Sequence, residues 1–141
     1  MNTIHIHATR TNFHKDAALI LTVAQKTLTM LKKDGYTLDI FLLRQNMIHA
    51  LNKQWRGKDA PTNVLSFAER DISMKDLPKK LRDKNYLGEI YISPDFVRKH
   101  KQSIEHMAVH GVLHVLGYDH IRELDAKKME RVEQKILTCL K

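Results

Sequence analysis

His110-Gly111-Val112-Leu113-His114-Val115-Leu116-Gly117-Tyr118-Asp119-His120 is the stretch on which the reading of this chain turns. Residues four apart on a helix share one face, a turn apart. His110 and His114 can therefore aim two imidazoles at one metal. Gly117 lets the chain turn, and His120, six residues past His114, can return as a third nitrogen ligand. Three neutral imidazoles leave one tetrahedral position open, the arrangement of a catalytic zinc site. A closed structural site needs a fourth ligand, and the only cysteine, Cys139, is remote in sequence, though folding could bring it near. The spacing H-x-x-x-H-x-x-G-x-x-H is the ligand pattern of a zinc-hydrolase class. In H-E-x-x-H peptidases the residue after the first histidine is the general base. Here it is Gly111, and no Met-turn follows His120, so peptide hydrolysis by that route is disfavoured.

Working outward, the segment from about Ser103 to Leu116 has helical pattern, with Gly117 placed to end it. Ser93-Pro94-Asp95 looks like a helix start, with Ser as cap and Pro at the first helical position. Arg122 to Leu140 is a last amphipathic helix with Leu124, Val132, Ile136 and Leu140 on its apolar side. Upstream, Asn2 to Ala8 and Thr37 to Leu43 alternate as strands: Ile4 and Ile6, then Leu38, Ile40 and Leu42, each face one way. A helix from about Phe13 to Lys33, capped by Thr11 or Asn12 and stopped by Gly35, lies between them. Its apolar stripe is Ala17, Ile20, Ala24, Leu28 and Leu31. Gln45 to Gln54 reads as a short helix with Met47, Ile48 and Leu51 inward. Trp55 to Asn63 is a polar loop punctuated by Gly57 and Pro61. Val64 to Phe67 and Leu87 to Ile92 are further strands. Between them Ala68 to Tyr86 reads as a charged loop with Lys75, Lys79, Lys80, Arg82 and Lys84 against Asp71, Asp76 and Asp83. The expected class is α+β: a small mixed, mostly parallel four-stranded sheet packed with helices, one of them a zincin-like histidine helix.

At 141 residues one domain, 1–141, is expected. The hydrophobic share is 43% and the charged share 28%, ordinary for a globular protein. The longest apolar run, Ala17 to Ala24, is far short of the ~20 residues of a membrane span. The N-terminus lacks a basic start followed by an apolar stretch, and a single cysteine excludes an internal disulfide framework. A reducing, cytoplasmic setting without membrane association is expected. The net charge of +8 favours a polyanionic partner. Five of the nine histidines fall between His100 and His120, a density that suggests a metal or proton-transfer site. His5 and His7 share a strand face and are read as solvent-side; His106 stands one turn before His110.

Residues 110–120 resemble the signature of the YbeY family of bacterial endoribonucleases. Leu51-Asn52 through Arg56-Gly57-Lys58-Asp59 to Pro61-Thr62-Asn63-Val64-Leu65-Ser66-Phe67 resembles a second family block, and Leu87-Gly88-Glu89-Ile90 a third. The resemblance implies one zinc per chain, held by His110, His114 and His120. It further implies single-strand-directed cleavage of ribosomal RNA, notably in maturing the small-subunit RNA's 3′ end, and a part in ribosome quality control with the ribosome or its associated proteins as partners. Arg56 is the residue the family pattern singles out. A guanidinium can contact two phosphate oxygens and never deprotonates, so it suits transition-state charge on phosphate. The chain departs from the family at Asn63 and Glu89, each usually Asp, and at Ala68, usually Pro. Lys58, Asn63 and Ser66 are candidate substrate contacts, with a strand-end role the alternative for Ser66. Asp119 could orient a ligand histidine or cap the turn. Two rivals stand beside the nuclease: a metalloprotease-like zinc hydrolase, and a non-catalytic ribosome-associated zinc protein.

Overall fold

The structure of the chain is a computed structural model that describes residues 1–69 and 85–140. Alternation builds the sheet: side chains two apart on a strand share a face. Strand β1 (Thr3–Ala8) pairs in parallel with β2 (Thr37–Leu42), matching Ile4 with Leu38 and Ile6 with Ile40. β2 pairs in parallel with β4 (Tyr86–Ile92), matching Ile40 with Ile90 and Leu42 with Ile92. β3 (Val64–Ala68) pairs antiparallel with β4, giving the order β1-β2-β4-β3. The sheet is mixed and mostly parallel, as expected. Parallel neighbours need a crossover, and helix α1 (His14–Met30) supplies the one between β1 and β2.

The isoleucine face of the sheet carries the main core. α1 and α4 (Ile104–Val115) pack together, and α4 also meets β3, β4 and α5 (Glu123–Leu140). Ile20, Leu28, Ile40, Ile90, Val112 and Leu113 are sealed from water in that core. Truncating such a leucine typically costs about 2–5 kcal/mol. A smaller cluster of Leu43, Ile48 and Leu65, flanked by Phe41, Leu51, Phe67 and Tyr91, anchors helix α2 (Gln45–Arg56). Gly111 sets how closely α4 approaches β4: a Cβ there would lie 2.7 Å from Cγ2 of Ile90. Position 111 therefore points into the sheet.

Several expected details are corrected. α1 starts after a 3-10 turn, Thr11–Phe13, and no side chain caps it, since Phe13 occupies the N-cap. It ends at Met30 because Lys32 already adopts a positive φ of 58°, leaving Gly35 in the loop beyond. α2 runs two residues past Gln54, so Trp55 and Arg56 are helical rather than loop residues. Met47 is 37% exposed, because α2 buries only Ile48 and Asn52. Ser93 stands at the N-cap of α3 (Pro94–Lys99), but its hydroxyl makes no capping bond. Leu124, in the first turn of α5, is 80% exposed; Met129, Glu133 and Ile136 face the core instead. Ala68 and Tyr86 are strand residues. The charged positions between them, Asp71, Lys75, Asp76, Lys79, Lys80, Arg82, Asp83 and Lys84, lie outside the described residues. Among the described residues no helix is long and apolar enough to cross a membrane.

Candidate metal centre

Ser103 begins the construction of the site, its hydroxyl accepting from the backbone N–H of His106 at 3.1 Å and capping α4. Val112, Leu113 and Val115 fasten the helix to the core and leave His110 and His114 half-buried on its other side. The helix ends in a Schellman turn: the N–H of Gly117 donates to His114 O at 3.0 Å and that of Tyr118 to Leu113 O at 3.0 Å. This turn needs a positive φ, and Gly117 supplies 111°. The chain thereby reverses and brings His120 back over the helix end. Ring centroids lie 4.5 Å apart for His110 and His114, 5.1 Å for His114 and His120, and 5.8 Å for His110 and His120.

One ligand nitrogen from each histidine lies within 4.8 Å of the other two. The Nε2 atoms of His110 and His114 are 3.0 Å apart. Zinc–nitrogen bonds of ~2.0–2.1 Å in a tetrahedron put nitrogens roughly 3.4 Å from each other, so small adjustments close this group on an ion. Burial, then the neighbouring His110 and His120 and the Arg56 cation, push the His114 imidazole down to about 4, against a weaker pull from Glu133. Near neutral pH His114 is thus an uncharged lone-pair donor, the form a metal takes. The three residues could hold a metal ion. Cys139 is exposed on α5 and is no part of the group.

Sequence reasoning missed Glu133. It is 7% exposed on α5, with Oε1 3.0 Å from Nδ1 of His110 and Oε2 paired with Nε2 of His106. Burial raises its carboxyl, but the hydrogen bonds from the two histidines outweigh this and hold it below the usual carboxylate range. Asp119, by contrast, accepts the N–H of Ile121 at 3.3 Å and caps the turn. Among the described residues, the carboxylate bonded to one of the three histidines is Glu133. The signal was available: Glu133 interrupts the stripe Met129, Val132, Ile136, where a charge is expensive unless partnered.

An open cleft of about 430 Å³ runs beside His110 and His120, bounded by Asn63, Val64, His106 and Glu133. Asn63 donates its amide to Gln102 Oε1 at 3.1 Å and accepts the N–H of Val64 at 2.7 Å, so its side chain braces the start of β3. The first of these bonds uses an amide donor that an aspartate would lack. Arg56 ends α2, exposed and outside the cleft lining, but close enough for its charge to act on His114. Gly57, at φ 71°, stops the helix there. Lys58 is exposed one residue beyond. Ser66 Oγ is shut off from solvent with no hydrogen-bond partner, which fits the strand role rather than substrate contact. His49 pins the loop through Asp59 at 2.7 Å, and His5 and His7 are exposed as expected.

The family model described as endoribonuclease YbeY matches residues 2–141. A relative named endoribonuclease YbeY from Vesicomyosocius okutanii is 42% identical over 125 residues, covering 82% of this chain and 80% of its own. One of the same name from Sinorhizobium medicae is 35% identical over 118 residues, covering 78% of this chain and 67% of its own. The chain spans a smaller share, 56%, of the Rhizobium etli relative. A solution structure from Thermotoga maritima superposes with a TM-score of 0.56 at 26% identity, covering 96% of this chain and 86% of that one. With a match that runs from residue 2 to residue 141 and takes in the histidine turn, the chain belongs to the endoribonuclease YbeY family.

Proposed function

We propose that this chain, as a single 1–141 domain, is a zinc-dependent endoribonuclease. It cuts single-stranded ribosomal RNA, matures the small-subunit RNA's 3′ end and takes part in ribosome quality control in the cytoplasm. Family membership supports endoribonuclease activity and a role in ribosomal RNA processing. The observation that carries the zinc reading is the convergence of three histidine nitrogens within 4.8 Å, beside a cleft that His110 and His120 line. Three nitrogen donors with an open position suit zinc.

When bound, zinc supplies positive charge that polarises the scissile phosphate. His110, His114 and His120 hold it, and the buried face of α4 keeps two of them fixed. Arg56 donates its planar fork to the phosphate oxygens and stabilises charge that grows toward the transition state. Lys58 adds attraction for the RNA backbone, consistent with the net charge of +8. Asn63 shapes the cleft wall. Ribosomal contacts belong to the same reading. The protease-like alternative loses ground because position 111, where a peptidase has its glutamate, points at Ile90.

The test is cleavage of a single-stranded RNA spanning a small-subunit 3′ end. Protein stripped by chelator should be inactive, one equivalent of zinc should restore cleavage, and His114→Ala should stay inactive. Undiminished cleavage by stripped protein or by His114→Ala rejects the reading.

A further inference from the structure

Glu133 occupies a core position on α5 between Met129 and Ile136. A carboxylate there is strongly destabilising unless its oxygens are satisfied. Both are, by two histidines one turn apart on α4. The geometry also divides the His110 ring. Nδ1 faces Glu133 at 3.0 Å, while Nε2 faces Nε2 of His114 at 3.0 Å. A hydrogen bond accepted by Glu133 keeps the ring proton on Nδ1 and the lone pair on Nε2.

We infer that Glu133 is the positioning residue of the metal centre: it locks His110 in the Nδ1–H form and aims Nε2 at the ion. His106 holds the carboxylate's other oxygen and is not one of the three residues that would hold the ion. The inference rests on the reading that His110, His114 and His120 bind metal. It assigns α5 a role beyond covering the core. Among the described residues, Glu133 is the buried carboxylate that reaches the three-histidine group.

The experiment uses the full chain and zinc alone. Affinity is read by competition with a chromophoric chelator, and the His110 tautomer by long-range proton–nitrogen NMR of the zinc-loaded protein. Glu133→Gln removes the charge but keeps the shape, and should weaken zinc about 10- to 100-fold while circular dichroism is unchanged. His106→Gln loosens the same helix pair without touching His110, and should stay within about threefold of wild type. The His110 Nδ1–H signal should survive in His106→Gln and broaden in Glu133→Gln. Wild-type affinity in Glu133→Gln overturns the inference. So does an equal loss in His106→Gln, which would make the effect one of helix docking. Should Glu133→Gln fail to fold, ligation of His110 through Nδ1 in wild type overturns it without any variant. His114→Ala separates the layers: zinc lost there but retained in Glu133→Gln removes this inference alone, whereas zinc retained in His114→Ala removes the three-histidine reading with it.

Discussion

The histidine cluster and the arginine arm are built differently. The histidine side stands on α4, whose Val112 and Leu113 are wholly buried and whose His110 is braced by Glu133 from a second helix. The arginine side stands on the end of α2 and the residues that follow it: Arg56, Gly57, Lys58 and Asp59 are all exposed, and Trp55 is 64% exposed. Local bonds hold that arm: Asn52 donates to Ala60 O at 2.9 Å, and His49 meets Asp59. Ligand nitrogens must converge on one point before an ion binds, so packing fixes them in advance. The arginine arm, by contrast, is held by local bonds at the protein surface.

Removing one ligand should produce the largest effect. His114→Ala should abolish stoichiometric zinc by elemental analysis and lower cleavage by more than about 1000-fold, without loss of the helical circular dichroism signal. Retained zinc in His110, His114 and His120 alanine variants alike would dissolve the contrast between the two sides. Gly111→Glu comes next. The added side chain is driven into Ile90, 2.7 Å from the first new atom, and buries a charge. Chemical denaturation should show a loss of more than about 3 kcal/mol, and no peptidase activity should appear. A stable, proteolytic Gly111→Glu would mean that position 111 faces the cleft.

On the arm, Gly57→Ala should cost only about 1–2 kcal/mol, the penalty of a left-handed φ for an L residue. It should reduce cleavage while leaving zinc affinity unchanged; a fall in zinc affinity would show that the two sides are mechanically joined. The smallest effect belongs to Lys58→Ala. RNA affinity should fall a few-fold, and the slope of log affinity against log salt should shrink by about 0.7. An unchanged slope would remove Lys58 from the RNA contact.

Much of this contrast was legible in the sequence, and unevenly so. The strands around Ile40 and Ile90 and the helix around His110 carry strong periodicities, and their types came through. The three histidines needed only helical spacing and one glycine. Arg56 reads as a loop residue in the sequence because polar residues and Gly57 mark the helix end only to within a turn. Met47 and Leu124 read as inward-facing because hydrophobicity states what can be buried, while helix orientation decides what is. Glu133 escaped because its partners are 23 and 27 residues away, a distance at which local pattern says nothing. Asp119, next to His120 in sequence, invites the role that Glu133 has the geometry to fill.

The most direct test of catalysis at this site is the single-turnover cleavage rate of Arg56→Lys at saturating enzyme, beside Lys58→Ala. Lysine keeps one charge but loses the planar fork. Arg56→Lys should bind zinc and RNA nearly as wild type and cleave about 10- to 1000-fold more slowly, equivalent to losing about 1.4–4 kcal/mol of transition-state stabilisation. Lys58→Ala should match the wild-type rate once saturated. A wild-type single-turnover rate in both Arg56→Lys and Arg56→Ala would contradict a site in which the metal wall and the arginine arm act on one phosphate.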